Sequence, residues 1–161
     1  MIRTNKLMER LLENLIERDK NLIKVKVGNI STILFPNLIK VHDCIIVDIE
    51  KEVTEEDINF KEIISMYGDR TGYEASCNEI RINDYVDFYD DYNILSLSKV
   101  IIQAWKYKLK TEYPEYKFLI ILAYREGYAT LRFHIFREDE GTWLLNDLNV
   151  YKEEAILVEE V

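Results

Sequence analysis

The sequence predicts a single α+β domain over residues 1–161, with a mainly antiparallel sheet packed against two or three helices. That sheet combines an N-terminal meander and a C-terminal hairpin. Three observations carry this reading. The stretch from Ile94 runs as a helix to a Tyr113-Pro114 break, two long apolar runs follow around Glu126-Gly127, and residues 22–50 alternate in strand fashion between short turn signals. Helices and strands that follow one another without a βαβ rhythm favour helices packed on an antiparallel sheet.

The hairpin carries its own register. If Glu126 and Gly127 form a two-residue loop, Tyr124 faces Ala129, Leu122 faces Leu131, Ile120 faces Phe133 and Phe118 faces Ile135. All four pairs are apolar, so that side belongs to a core. The other side pairs Arg125 with Tyr128, Ala123 with Thr130, Ile121 with Arg132 and Leu119 with His134, which predicts a face partly wet or covered by a loop. A slip of one residue would set Arg132 and His134 among core side chains, so the pattern specifies the pairing.

Along the rest of the chain, Leu7, Met8, Leu11, Leu12, Leu15 and Ile16 form one stripe at helical spacing, which predicts an amphipathic, core-packing helix over 5–19. Strands are expected at 22–27, 30–35 and 38–50, joined at Gly28-Asn29 and Pro36-Asn37 as an antiparallel meander. Thr54 reads as the N-cap of a helix with Glu55, Glu56 and Asp57 in its first turn, Ile58, Ile63, Ile64 and Met66 as its apolar side, and Gly68 at its end. Residues 69–84 begin as a loop and alternate at Ile80 and Ile82, where one strand is expected, and a last strand falls at 155–158. A chain of 161 residues buries enough surface to need no staples.

Composition narrows the function classes. Cys44 and Cys77 stand alone, with no CxxC and no cysteine–histidine spacing for a metal, which predicts a reduced, cytoplasmic protein. No run approaches the roughly 20 apolar residues that span a bilayer, so no membrane association is expected. The net charge of −9 is unevenly spread. Residues 43–92 hold fifteen acidic against four basic side chains, and residues 138–161 hold eight against one, whereas residues 93–137 carry eight basic against three acidic. Such a field repels nucleic acid and draws in cationic partners.

Chemistry-bearing patterns are sparse. Glycines 28, 68, 72, 127 and 141 never cluster into a phosphate cradle. His42 and His134 read as strand histidines with structural roles, and a Cys/His nucleophile would need a base and an oxyanion site that the sequence does not display. Asp48, Glu50 and Lys51 are a loose candidate for metal-dependent hydrolysis, against the plainer reading of a solvated strand end. No catalytic residue, metal or cofactor is expected.

The segment DYVDFYDDY resists a bland account. It packs Asp84, Asp87, Asp90 and Asp91 with Tyr85, Tyr89, Tyr92 and Phe88 into nine residues. One reading is a surface loop with inward tyrosines and wet aspartates. The other is a protein-binding surface, in which tyrosines supply contact area and aspartates pair with a basic partner. Glu138, Asp139 and Glu140 form a second candidate patch, or else a solvated turn.

The run TLRFHIFREDEGTWLLNDLNVYKEEAILVEEV, residues 130–161, resembles the C-terminal part of small bacterial immunity proteins encoded beside polymorphic or contact-dependent toxins. The resemblance covers the last third of the chain, rests on texture rather than a diagnostic motif, and transfers no individual residue. It implies a cytoplasmic, non-enzymatic protein that neutralises one cationic toxin domain, such as a nuclease, by direct binding. Two other classes stay open: a small metal-dependent hydrolase using surface carboxylates, and a structural or regulatory interaction module, for which a homodimer is an option.

Overall fold

A computed structural model describes residues 1–17, 27–54, 56, 58–87 and 90–161. Its centre is the expected hairpin. Strands β5 (Phe118–Arg125) and β6 (Tyr128–Ile135) pair in the register read from the sequence, from Phe118 opposite Ile135 to Arg125 opposite Tyr128. Glu126 and Gly127 both take positive φ, at 49° and 85°, the left-handed pair a two-residue primed turn requires. The five-stranded antiparallel sheet runs β1-β7-β5-β6-β4, with β1 at Ile2–Thr4, β4 at Ile80–Arg81 and β7 at Ala155–Glu160. The last strand was expected; the three-residue β1 was too short to announce itself.

Two layers close on this sheet. Helix α5 (Asp91–Glu112) turns Ile94, Leu97, Ile101, Trp105 and Leu109 toward Ile120, Leu122, Leu131 and Phe133. Helix α1 (Lys6–Glu17) adds Met8 to the same core, with Leu7, Leu11, Leu12 and Leu15 packed partly against it. Asn5 holds α1 to the sheet: its side-chain oxygen accepts from Met8 N and from Ile156 N, each at 3.0 Å. On the opposite face Leu119, Ile121, Ile156 and Val158 are covered by Leu144 and Leu148 from the segment after β6. The mixed face of the hairpin is thus roofed by a loop, and Trp143 of that loop stacks over the Arg132 guanidinium, 4.2 Å from ring centroid to carbon.

The N-terminal meander is not formed. Residues 22–26, the body of its first expected strand, lie outside the described residues. The second expected strand is a helix, α2 (Val27–Leu34). Ile30 and Ile33 stand one helical turn apart and both bury against the main core; a short apolar run fits either period, and docking on α5 decides for the helix. Trp105 Nε1 donates to Ile33 O at 2.7 Å, satisfying a carbonyl that the end of α2 leaves open. The third expected strand folds back on itself as β2 (Leu38–Val41) and β3 (Cys44–Val47), a separate two-stranded sheet. His42, read as a strand residue, sits at the bend with φ 52° and lies against Phe60.

Two further corrections concern helices. Thr54 does not cap α3, which begins later: α3 is Phe60–Tyr67 with Asn59 at its N-cap position, and Ile58, Phe60 and Ile63 pack on Val41, Cys44 and Tyr73, so tertiary contact rather than the acidic triplet sets its start. Gly68 ends it as expected, at φ 88°, while Met66 is exposed rather than part of its buried side. The expected loop after Gly68 is helix α4 (Arg70–Cys77), capped by Asp69, whose carboxylate accepts from Gly72 N at 2.6 Å. Gly72 is required there, since a Cβ would stand 2.5 Å from Tyr67 O.

Trp105→Phe keeps a ring in the core but leaves Ile33 O without its donor. It should cost about 1–3 kcal/mol, read as a lower urea midpoint; an unchanged midpoint would refute the role given to this bond.

Candidate functional site

The edge of the sheet at β6 is where the polar residues converge. Beyond the two residues of β4, the outward backbone groups of β6 meet side chains in place of another strand. Asn83 spans Gly127 O (2.8 Å) and Ala129 N (2.9 Å). Asn78 donates to Phe133 O (3.1 Å) and Ile45 O (2.9 Å) and accepts from Val47 N (2.8 Å). Glu74, fully buried, accepts from Ile135 N (2.8 Å) and Ile45 N (2.7 Å). Asn78 and Glu74, at the end of α4 and within it, therefore tie the small β2–β3 sheet to the large one. Arg137 completes the cluster, with its two terminal nitrogens 2.8 and 3.3 Å from the Glu74 oxygens and one also donating to Asp43 O. Burial pushes the Glu74 carboxyl above its ordinary range, against the opposing pull of Arg137 and the two backbone donors. None of this network was visible in the sequence, where Glu74 and Arg137 lie 63 positions apart.

A second ion lattice surrounds Arg70. It contacts Glu140 at 2.5 Å, Asp139 at 2.7 Å and Asp43 at 2.9 Å. Glu140 also accepts from Thr71 N (2.9 Å) and Thr71 Oγ1 (2.8 Å). Partial burial opposes the charge on Glu140, but the bonds from Arg70 and Thr71 outweigh it and hold this carboxyl below its usual range. Of the second acidic patch, then, Asp139 and Glu140 are engaged within the chain and Glu138 is exposed.

The aspartate–tyrosine segment divides in the same way. Asp90 caps α5, accepting from Asn93 N at 3.0 Å and Asn93 Nδ2 at 2.8 Å. Asp91 accepts from the Tyr124 hydroxyl, which itself accepts from Gly127 N at 2.8 Å; burial, then this bond to Asp91, push the Tyr124 phenol up to about 12. Tyr92 is half-buried, and Tyr85 is half-buried against the main core. Phe88 and Tyr89 lie outside the described residues. Asp84 and Asp87 are exposed, and Asp84 makes no hydrogen bond or ion pair among the described residues.

Asp84 and Tyr85 line an open groove of about 390 Å³ beside β4, with Ile49, Ser76, Glu79 and Arg81 as further walls. Glu79 is spent on Arg81 (3.1 Å) and Arg132 (2.6 Å). Asp84 is thus the groove's uncompensated carboxylate, and Glu50 bears electrostatically on the Tyr85 phenol beside it. Asp48, of the loose Asp48–Glu50–Lys51 candidate, accepts from Glu52 N (3.2 Å) and Val53 N (3.4 Å) and shapes the turn after β3. Among the described residues no three His, Cys, Asp or Glu side chains gather to hold a metal ion. Burial raises the Cys44 thiol to about 12 and also raises Cys77, so neither is a ready thiolate near neutrality. His134 is fully buried and its Nδ1 donates to Ile135 O at 2.8 Å, leaving Nε2 to face Trp143 N at 3.5 Å.

Fold and site define an α+β protein with an open groove, edged by a free carboxylate, at one margin of an antiparallel sheet. The chain belongs to the family described as the Uncharacterized protein PM0498 family, whose model matches residues 3–161. It is 28% identical over 159 residues to the Uncharacterized protein PM0498 of Pasteurella multocida (strain Pm70), across 94% of this chain and 96% of that one. No solved structure gives a significant match. No helix among the described residues is long and apolar enough to cross a membrane.

Glu74→Gln removes the nearest carboxylate from the buried Arg137 guanidinium, leaving it only Asp43 at 3.8 Å and Glu140 at 3.9 Å as counter-charges, and should cost about 3–5 kcal/mol, measured by urea unfolding. Burial depresses the His134 pKa below 6.5. The folded chain therefore takes up this proton less readily than the unfolded chain, and stability present above pH 6.5 is lost as the pH falls below it. The urea midpoint should drop more between neutral pH and pH about 5 in the wild type than in His134→Gln; equal drops would refute the assignment.

Proposed function

We propose that this chain is a non-enzymatic protein-binding domain that captures a cationic partner, and that the partner is a toxin domain it neutralises. The observation that carries the reading is the groove beside β4, where the uncompensated Asp84 carboxylate stands next to the half-buried Tyr85 and the exposed Ile49. An aromatic and an aliphatic surface beside an unpaired charge is the composition of a contact that takes a lysine or arginine side chain, its stem on the apolar wall and its head on the carboxylate. Asp87, exposed three residues on, extends the negative surface past the groove, and the excess of acid over base in residues 43–92 supplies the long-range attraction. The resemblance of residues 130–161 to immunity proteins supports the finer reading. The partner is then expected from a neighbouring gene, as a secreted protein with a variable C-terminal domain.

The closed β6 margin bears on how such a partner binds. Its outward backbone groups are taken up by Asn83, Ile80, Asn78 and Glu74, so strand addition at that edge is disfavoured and side-chain contact in the groove is favoured.

The test is association of the purified chain with the toxin domain from the adjacent gene, followed by surface plasmon resonance. Raising salt from about 0.05 to about 0.5 M should slow association steeply. Asp84→Asn with Asp87→Asn should lower the association rate about threefold or more and flatten that salt dependence. Rates that ignore both salt and the substitutions would refute the groove, and failure of the chain to protect a host from that domain would refute the neutralising role.

A further inference from the structure

At the opposite edge of the sheet from the β4 groove lies a cavity of about 300 Å³, between the outer face of β1, β7 and β5 and the loop that follows β6. Its walls are of two kinds. Leu119, Val158 and Phe136 are apolar, while Arg3, Lys117 and Glu160 are charged. Thr142 and Asn146 complete the loop side.

The strand register explains the arrangement. Arg3 faces Val158 across β1 and β7, and Glu160 faces Leu119 across β7 and β5. Arg3 therefore lies diagonal to Glu160 on one side. Lys117, two residues before Leu119, lies diagonal to it on the other. Diagonal neighbours on one sheet face stand about 7–8 Å apart, within reach of long side chains. Yet among the described residues the side chains of Arg3, Lys117, Glu160 and Asn146 make no hydrogen bond or ion pair. Elsewhere the chain neutralises its charges closely, as at Arg70 and Arg137. Here a cation, an anion and a second cation alternate beside an apolar floor, with no partners of their own.

We propose that this cavity binds a free α-amino acid with an apolar side chain. The ligand carboxylate meets Arg3 or Lys117, its ammonium meets Glu160, and its side chain lies on Leu119, Val158 and Phe136. The opposite charges at short spacing match a zwitterion rather than a simple anion or cation, and a guanidinium suits a carboxylate through two parallel hydrogen bonds. The volume is at the small end of ligand sites, which run from about 300 to about 1,000 Å³. That favours a single amino acid over a nucleotide.

The experiment is a 15N-edited NMR titration of the full chain with L-phenylalanine, 3-phenylpropionate, phenethylamine and N-acetyl-L-phenylalanine, each to about 10 mM, well above a millimolar dissociation constant. L-phenylalanine should shift amide signals of Leu119, Phe136, Thr142 and Val158, and bind more tightly than the three analogues, each of which lacks one charge. Arg3→Gln with Lys117→Gln should weaken it about tenfold or more, and Glu160→Gln should erase the preference over 3-phenylpropionate. All three positions are solvent-accessible, so the variants should melt as the wild type does. No shifts with any ligand, or shifts unaffected by the substitutions, would overturn the proposal. N-acetyl-L-phenylalanine binding as well as L-phenylalanine would also overturn it, in favour of a peptide C-terminus.

Discussion

Burial of Glu74 between two sheets is the constraint on which the rest of the molecule depends. β4 is only two residues long, so most of the outer margin of β6 would otherwise present unpaired backbone groups to α4 and the small sheet. An unpaired backbone group removed from water costs about as much as a lost hydrogen bond. The chain answers with side chains of the right length: Asn83 and Asn78 as amide bridges, and Glu74 as a double acceptor. A buried carboxylate is itself expensive, which is why Arg137 must accompany it. Because Glu74 and Asn78 also hold Ile45 and Val47, the same few atoms decide where β2 and β3 sit.

This arrangement has a consequence for function. An acidic chain offers many carboxylates, but most of those that look available are employed internally. Asp90 caps a helix, Asp91 buttresses the hairpin turn through Tyr124, Asp48 shapes a turn, and Asp139 and Glu140 hold Arg70. Of the acids in the two patches that the sequence singles out, Asp84 and Glu138 are exposed with no hydrogen bond or ion pair among the described residues, and Asp84 stands out because it lines the β4 groove. Net charge describes the field at a distance; contact chemistry belongs to the carboxylates without an internal partner.

The sheet has two differently built faces. Helices α1 and α5 seal one with close aliphatic and aromatic packing. The other is roofed by the segment between β6 and β7, which contributes Leu144 and Leu148 but covers the surface incompletely. Phe136, Trp143 and Leu145 stay exposed on that roof, and a cavity persists beneath it near β1. A loop roof carries fewer buried contacts than a helix layer, which leaves room for the cavity near β1.

The hairpin, α1 and α5 were legible because each carries a long, consistent apolar period. Eight alternating residues on each side of Glu126-Gly127 leave one register in which the core stays dry, and that alone placed every pair from Phe118–Ile135 to Arg125–Tyr128. Short apolar runs carry no such information. Residues 30–34 suit a strand or a helix equally, and only the surface of α5 selects the helix; Thr54 has the chemistry of a cap, but packing of Phe60 on Tyr73 sets the start of α3. Of the candidate site, the sequence showed that Asp84–Tyr92 was rich in acid and aromatics, and it could not show which of those acids were already engaged. Local periodicity, then, was enough to determine the sheet core and its helices, because burial of a repeating face is a property of neighbours along the chain. Which polar side chains are free was decided by the tertiary structure alone, because their partners, such as Tyr124 for Asp91 and Arg70 for Glu140, come from distant positions.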